Sequence, residues 1–263
     1  MRRRPSPALL LAIAVLAGTL SACRPDTVSL GFEPKDGATY RYRYDLDLHL
    51  ERALDGAAPT VTDLESVITA TVTIVGTTPQ GTRARLVIRR DQEADKTLTV
   101  LIDRAGSLRG IEEVAGLPAD TFGVGGLSAV LEMSVSPPPA DPVAIGDTWT
   151  VGGDAAGALP ATGEARLRRL GVIDGDKIAE VDSQLRQTIA DDVDAGPSGA
   201  YLSGDLRSDT TTSYDLVDGA VRRSQATAHG DVAVVIRPPA GSTATAARGT
   251  ITYVLSVETT RVS

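Results

Sequence analysis

The chain has 263 residues, 34 acidic against 26 basic, for a formal charge of −8, with one cysteine and few aromatic side chains. An acidic surface argues against nucleic acid as a partner and is repelled by anionic lipid headgroups. A lone cysteine excludes a disulfide framework, so the fold has to be held by its own apolar core.

Arg2, Arg3 and Arg4 precede an uncharged apolar run from Ala8 to Gly18, which Leu20-Ser21-Ala22-Cys23 closes. This three-part form is that of a signal peptide. The small residues before a cysteine, with a leucine three places upstream, resemble the bacterial lipobox. That resemblance implies diacylglycerol transfer to the Cys23 sulfur and cleavage in front of it. Residues 1–22 are then signal peptide and Cys23 is the lipidation site. Cleavage removes three arginines and moves the formal charge to −11. Two or more acyl chains anchor a protein stably where one does so marginally. The expected place is the cell membrane or outer membrane, lipid-anchored and facing the periplasm or the cell exterior. No later apolar run approaches ~20 residues, so no other membrane-spanning helix is expected.

Residues 23–31 read as a short polar linker with a reach of at most ~30 Å, and 32–263 as a single β domain. Tyr40, Tyr42, Tyr44, Leu46, Leu48 and Leu50 alternate with polar residues, the period of a half-buried strand. Leu64 to Ile74 repeats the pattern, turns at Thr77 to Gly81, and returns through Ala84, Leu86 and Ile88. Leu98, Val100 and Ile102 begin a second hairpin, which turns at Asp103 to Gly106. The segment 116–142 breaks the rhythm with glycines and prolines, and Leu127 to Met133 has the spacing of one short helix. Asp141 to Asp147 reads as a turn feeding a strand that carries Trp149.

Beyond it, Ala165 and Leu167 are out of phase with Leu170 and Val172, which marks a bulge before the Asp174-Gly175-Asp176 turn. Ala179 to Ile189 returns. Asp191 to Asp205 reads as an acidic loop, and Asp218-Gly219 as a compact hairpin turn. Val221 to Ile236 and Ile251 to Val257 supply the last strands. The hairpins suggest two pseudo-repeat halves, 39–115 and 143–263. The fold class is mainly β: a curved antiparallel sheet, half-barrel or barrel-like, because one short helix cannot cover its apolar face.

Tyr40-Arg41-Tyr42-Arg43-Tyr44, Pro142 to Trp149 and Asp218-Gly219 together resemble a family of uncharacterised bacterial envelope lipoproteins. At the level of the fold the pattern is similar to LolA-like half-barrel lipoproteins. That similarity implies acyl chains held between a curved sheet and a helix.

No catalytic residues, cofactor or metal ligands are expected. His49 and His229 fall on the polar face or near a turn, no Gly-x-Ser-x-Gly elbow accompanies them, and no His or Cys pair has metal-ligand spacing. Tyr40, Tyr42, Tyr44 and Trp149 are the candidate ligand-binding residues, with core packing as their alternative role. The expectation is a non-enzymatic, membrane-anchored envelope lipoprotein that binds a lipid or other apolar ligand in a β concavity. The alternative is a structural or adaptor module in an envelope complex, its protein partner unidentified.

Overall fold

A computed structural model describes residues 26–90, 94–103, 108–114, 117–118, 135–152, 161–195, 198–239 and 241–262. Twelve strands form one sheet: β1 (Thr39–Leu54), β2 (Thr60–Thr78), β3 (Gly81–Arg90), β4 (Lys96–Ile102), β5 (Leu108–Val114), β6 (Leu117–Pro118), β7 (Thr148–Val151), β8 (Thr162–Ile173), β9 (Asp176–Ala195), β10 (Ser198–Asp215), β11 (Val221–Ile236) and β12 (Ala247–Val262). The sheet is antiparallel, curved and unclosed, in the order β6-β5-β4-β3-β2-β1-β12-β11-β10-β9-β8-β7. The first and last strands therefore meet at its centre.

The alternation of β1 explains its place. Tyr42, Leu46 and Leu48 share one face, and their partners on β12 are Arg261, Val257 and Leu255. On β2 the partners are Ala70, Ser66 and Leu64. One face of the sheet is thus mainly apolar, interrupted by Arg261 and Ser66, and the other carries Arg41, Arg43, Asp45, Asp47 and their neighbours. At the Asp174-Gly175 turn both residues have positive φ, 52° and 92°. That pair of conformations fits a two-residue hairpin to the twist of its strands. The phase change expected near Leu167 is a bulge between Leu167 and Arg169.

Three expectations need correction or fall elsewhere. Asp191 to Asp205 is not a loop: β9 runs to Ala195, β10 starts at Ser198, and Asp191 pairs with Leu202. Pairing along a long neighbour overrides the turn-like composition. Residues 23–31 are not all linker, because Val28 bridges to Val143 and Leu30 is only 1% exposed. Leu127 to Met133 lies outside the described residues, and no helix occurs among those described.

Two straps cover part of the apolar face. The first, Val28 to Glu33, places Leu30 in a cluster with Leu167, Val181, Leu185 and Tyr214. Its Phe32 packs against a second cluster built on Tyr40, Tyr42, Ile74, Leu86 and Val100. Burying a leucine of this kind stabilises by about 2 kcal/mol. The second strap belongs to the connection from β6 to β7, which joins opposite edges of the sheet. Its Ser136 is buried against β9 and β10.

Candidate functional site

Cys23 lies outside the described residues. The four candidate ligand-binding residues fall in two places. Tyr40 and Tyr42 are buried in the cluster under β1 to β4, with Tyr44 half-buried beside them. Trp149 packs against the cluster under β7 to β10. The tilted Phe32 and Tyr40 rings stand 6.2 Å apart, and those of Tyr42 and Tyr44 6.3 Å apart. Burial pushes the Tyr42 hydroxyl well above the usual tyrosine range and that of Tyr44 up to about 12. These phenols hold their protons at neutral pH and carry no charge.

Tyr40 belongs to a polar cluster at the end of the sheet where β1 begins and β12 finishes. Its hydroxyl donates to Asp218 Oδ2 at 2.8 Å. Burial first, and then this hydrogen bond, raise its pKa far above the usual value. Arg261, on β12, reaches Asp215 at 2.6 Å, Asp176 at 3.8 Å and Asp218 at 3.9 Å. Its guanidinium also lies 5.8 Å from the centre of the Tyr40 ring. Arg222 holds Asp176 at 2.9 Å and Asp174 at 3.7 Å. Two arginines thereby tie together the β8–β9 turn, the β10–β11 turn and the beginning of β1. Within it, Arg261 compensates the buried Asp215 carboxylate, whereas Asp174 and Asp176 face solvent.

A second polar group surrounds Ser136. Its N–H donates to Thr212 Oγ1 at 2.9 Å, and Ser183 Oγ donates to its hydroxyl at 2.9 Å. The Tyr214 hydroxyl donates to its carbonyl, and the Trp149 indole N–H donates to Pro137 O at 3.1 Å. Trp149 therefore anchors the strap from one side while Tyr214 holds it from the other. Thr212 Oγ1 lies 2.9 Å from Ser224 Oγ, and beyond them Thr259 Oγ1 is buried without a partner.

Neither polar group was anticipated, although one signal was present. Arg261 follows Ile251, Tyr253, Leu255, Val257 and Thr259 at the inward phase of β12, where a charge demands a buried partner. Ser208, Thr210 and Thr212 hold the same phase on β10.

The aliphatic part of the apolar face lies farther along β1. Leu48 stands between Leu64 and Leu255. Leu50 faces Tyr253, whose ring occupies the space that a side chain at Gly230 would fill. Leu46, Leu48, Leu50, Ile251 and Leu255 are half-buried, and Leu54 and Leu64 are exposed.

The opposite, polar face has a groove of about 500 Å³ lined by Asp45, Asp47, Glu65 and Glu258 among others. His49 and His229 lie on this face, both paired with Val254 from either side, and His49 Nδ1 is 2.7 Å from Asp63. Two strand spacings put the histidines about 10 Å apart, too far to share one ion. Among the described residues no group of three or more His, Cys, Asp or Glu is placed to hold a metal ion. No family model matches this chain, and no curated protein or solved structure matches it either, so its function has to be read from its own residues.

Proposed function

We propose that the protein is a non-enzymatic lipoprotein of the cell envelope, held to a membrane by acyl chains on Cys23. It accommodates a lipid or other apolar molecule along the aliphatic part of its sheet face. The observation that carries this reading is the half-buried stripe of Leu46, Leu48 and Leu50 with Leu255 and Ile251, continued by exposed Leu54 and Leu64. From Leu46 to Leu54 the strand spans about 27 Å, longer than one leaflet of a bilayer whose hydrocarbon is ~30 Å thick. An acyl chain lying there removes apolar surface from water, at roughly 25 cal/mol per Å².

Tyr40, Tyr42 and Trp149 then act as the packed frame of the site rather than its lining. Native mass spectrometry after gentle extraction tests the reading. A co-purifying lipid is expected, and its loss on Leu48→Glu in a protein that stays folded. A ligand-free protein from intact envelopes overturns it.

An adaptor role is the second reading, favoured by the polar groove with its four carboxylates, which suits a basic protein surface. Crosslinking in intact cells tests it: one defined partner trapped through Asp45 or Glu65 positions supports it, and random neighbours count against it.

The strand order also supports duplication. It descends from β6 to β1 and again from β12 to β7. A shift of six strands lays the β2–β3 turn on the β8–β9 turn and the β4–β5 turn on the β10–β11 turn.

A further inference from the structure

We propose that the end of the sheet carrying the Arg261 cluster is a seat on the bilayer surface, with exposed apolar residues at its turns dipping into the headgroup boundary. The proposal rests on the reading of Cys23 as lipidated.

The tether comes first. Described chain begins at Asp26, and Val28 already pairs with Val143. Four residues lie between Cys23 and Val28, five Cα steps with a reach of about 17 Å at most. From Val28 the strap runs to Gly31, whose carbonyl lies against Gly219 in the β10–β11 turn. This turn, the β8–β9 turn, the β2–β3 turn, the beginning of β1 and the finish of β12 share one end of the sheet. The 16 residues of β1 span about 54 Å, so the other end stands far from any anchor at Cys23.

Exposed apolar side chains occur at both ends of that axis, with Leu54, Val61 and Leu64 at the far one, but they differ in how far they are exposed. Among the described residues the four most exposed large ones are Val217 at 81%, Val172 at 66%, Ile145 at 59% and Val75 at 58%. Val217 and Val172 lie at the β10–β11 and β8–β9 turns, Ile145 two residues after the partner of Val28, and Val75 near the finish of β2. Val217 and Val172 are also close across the sheet, because Leu216 N donates to Lys177 O and Lys177 is the register partner of Val172. Single exposed valines are ordinary, but Val217, Val172 and Val75, more exposed than any large apolar residue described at the far end, lie together near these turns and point to an interaction surface.

Charge at this end permits the contact. Arg222 and Arg261 lie within 4 Å of Asp174, Asp176, Asp215 and Asp218 and offset two of their four charges. Repulsion from the acidic body is thereby reduced where the domain would meet headgroups. The apolar tips add only shallow insertion. Acyl chains supply the anchoring, and the turns set the orientation, with the stripe from Leu46 to Leu54 directed away from the surface.

The test uses the lipidated protein in phosphatidylcholine vesicles. Acylated Cys23 offers no free thiol, so Val217→Cys, Val172→Cys and, at the other end, Val61→Cys each supply a single site for an environment-sensitive fluorophore. Circular dichroism checks the fold of each variant. The expected result is several-fold stronger quenching by spin-labelled lipid at 217 and 172 than at 61. Vesicle flotation of all three variants with equal quenching overturns the seat and leaves the lipid anchor standing. Failure of the protein to float with vesicles overturns the anchor, and the seat with it.

Discussion

The Tyr40 hydroxyl donates a hydrogen bond to the Asp218 carboxylate at 2.8 Å, across 178 residues of chain. Tyr40 is the second residue of the first strand, and Asp218 sits in the turn between the tenth and eleventh. Asp218 also accepts from the Ala220 N–H at 3.0 Å and passes the Glu33 N–H its backbone carbonyl at 2.9 Å. One turn residue therefore holds its own hairpin, the first strand and the N-terminal strap.

Tyr40→Phe removes one of these bonds and leaves the other two. A hydrogen bond to a charged group contributes about 1.5–3 kcal/mol, and Arg261 remains near Asp218 to share the loss. The expected destabilisation is about 1 kcal/mol, read from the urea midpoint with an unchanged m-value. A neutral result would mean that the phenol contributes only through its ring.

Arg261→Leu has a larger effect. The Asp215 side chain is only 7% exposed and loses its 2.6 Å partner. Breaking a buried pair from one side costs about 3–5 kcal/mol because the remaining charge is uncompensated. Arg261→Leu combined with Asp215→Asn should recover part of that loss. Purely additive effects in this double-mutant cycle would contradict a coupled cluster.

High pH should unfold the protein cooperatively. Burial raises the hydroxyl pKa of Tyr40, Tyr42, Tyr44, Tyr214 and Tyr253 above the usual value, to about 12 for Tyr44. The unfolded chain ionises these groups near pH 10. A raised folded pKa contributes stability that is complete below about pH 10 and lost as pH climbs towards and past 12. Tyrosinate absorbance and far-ultraviolet circular dichroism should change together in that window. Phenols that ionise while the strands persist would show that water reaches them in the folded state.

Local pattern made much of this fold legible, and pairing made the rest. The alternation from Tyr40 to Leu50 placed a strand and its two faces, and the phase change after Leu167 located a bulge, because side-chain period is a local property. Nothing local marks β1 as the partner of β12, since that contact closes the whole chain. Asp191 to Asp205 reads as loop from its glycine, proline and aspartates, yet long neighbouring strands extend through it. The tyrosines were visible as a stripe, but the guanidinium that packs over Tyr40 comes from Arg261 at the opposite end of the sequence. Val28 and Leu30 are isolated apolar residues in polar surroundings, too few to show a period, so the strap could not be told from a linker.

The strap yields the sharpest mutational contrast. A free linker would tolerate almost any change, whereas a strap built into two cores would not. Leu30 is 1% exposed among Val143, Leu167 and Tyr214, and truncating a leucine in such a site costs about 2–5 kcal/mol. Gly219 has φ of +68°, and a Cβ there would lie 2.1 Å from the Gly31 carbonyl oxygen. An alanine at 219 meets both the left-handed backbone penalty, about 1 kcal/mol, and a collision that displaces the strap. Leu30→Ala and Gly219→Ala should each lower the unfolding midpoint and speed proteolysis between Asp26 and Glu33. Their effects should fall short of additive in the double variant, because displacing the strap once already exposes Leu30. Wild-type stability in Leu30→Ala would show that residues 28–33 are a free linker rather than a strap built into the core.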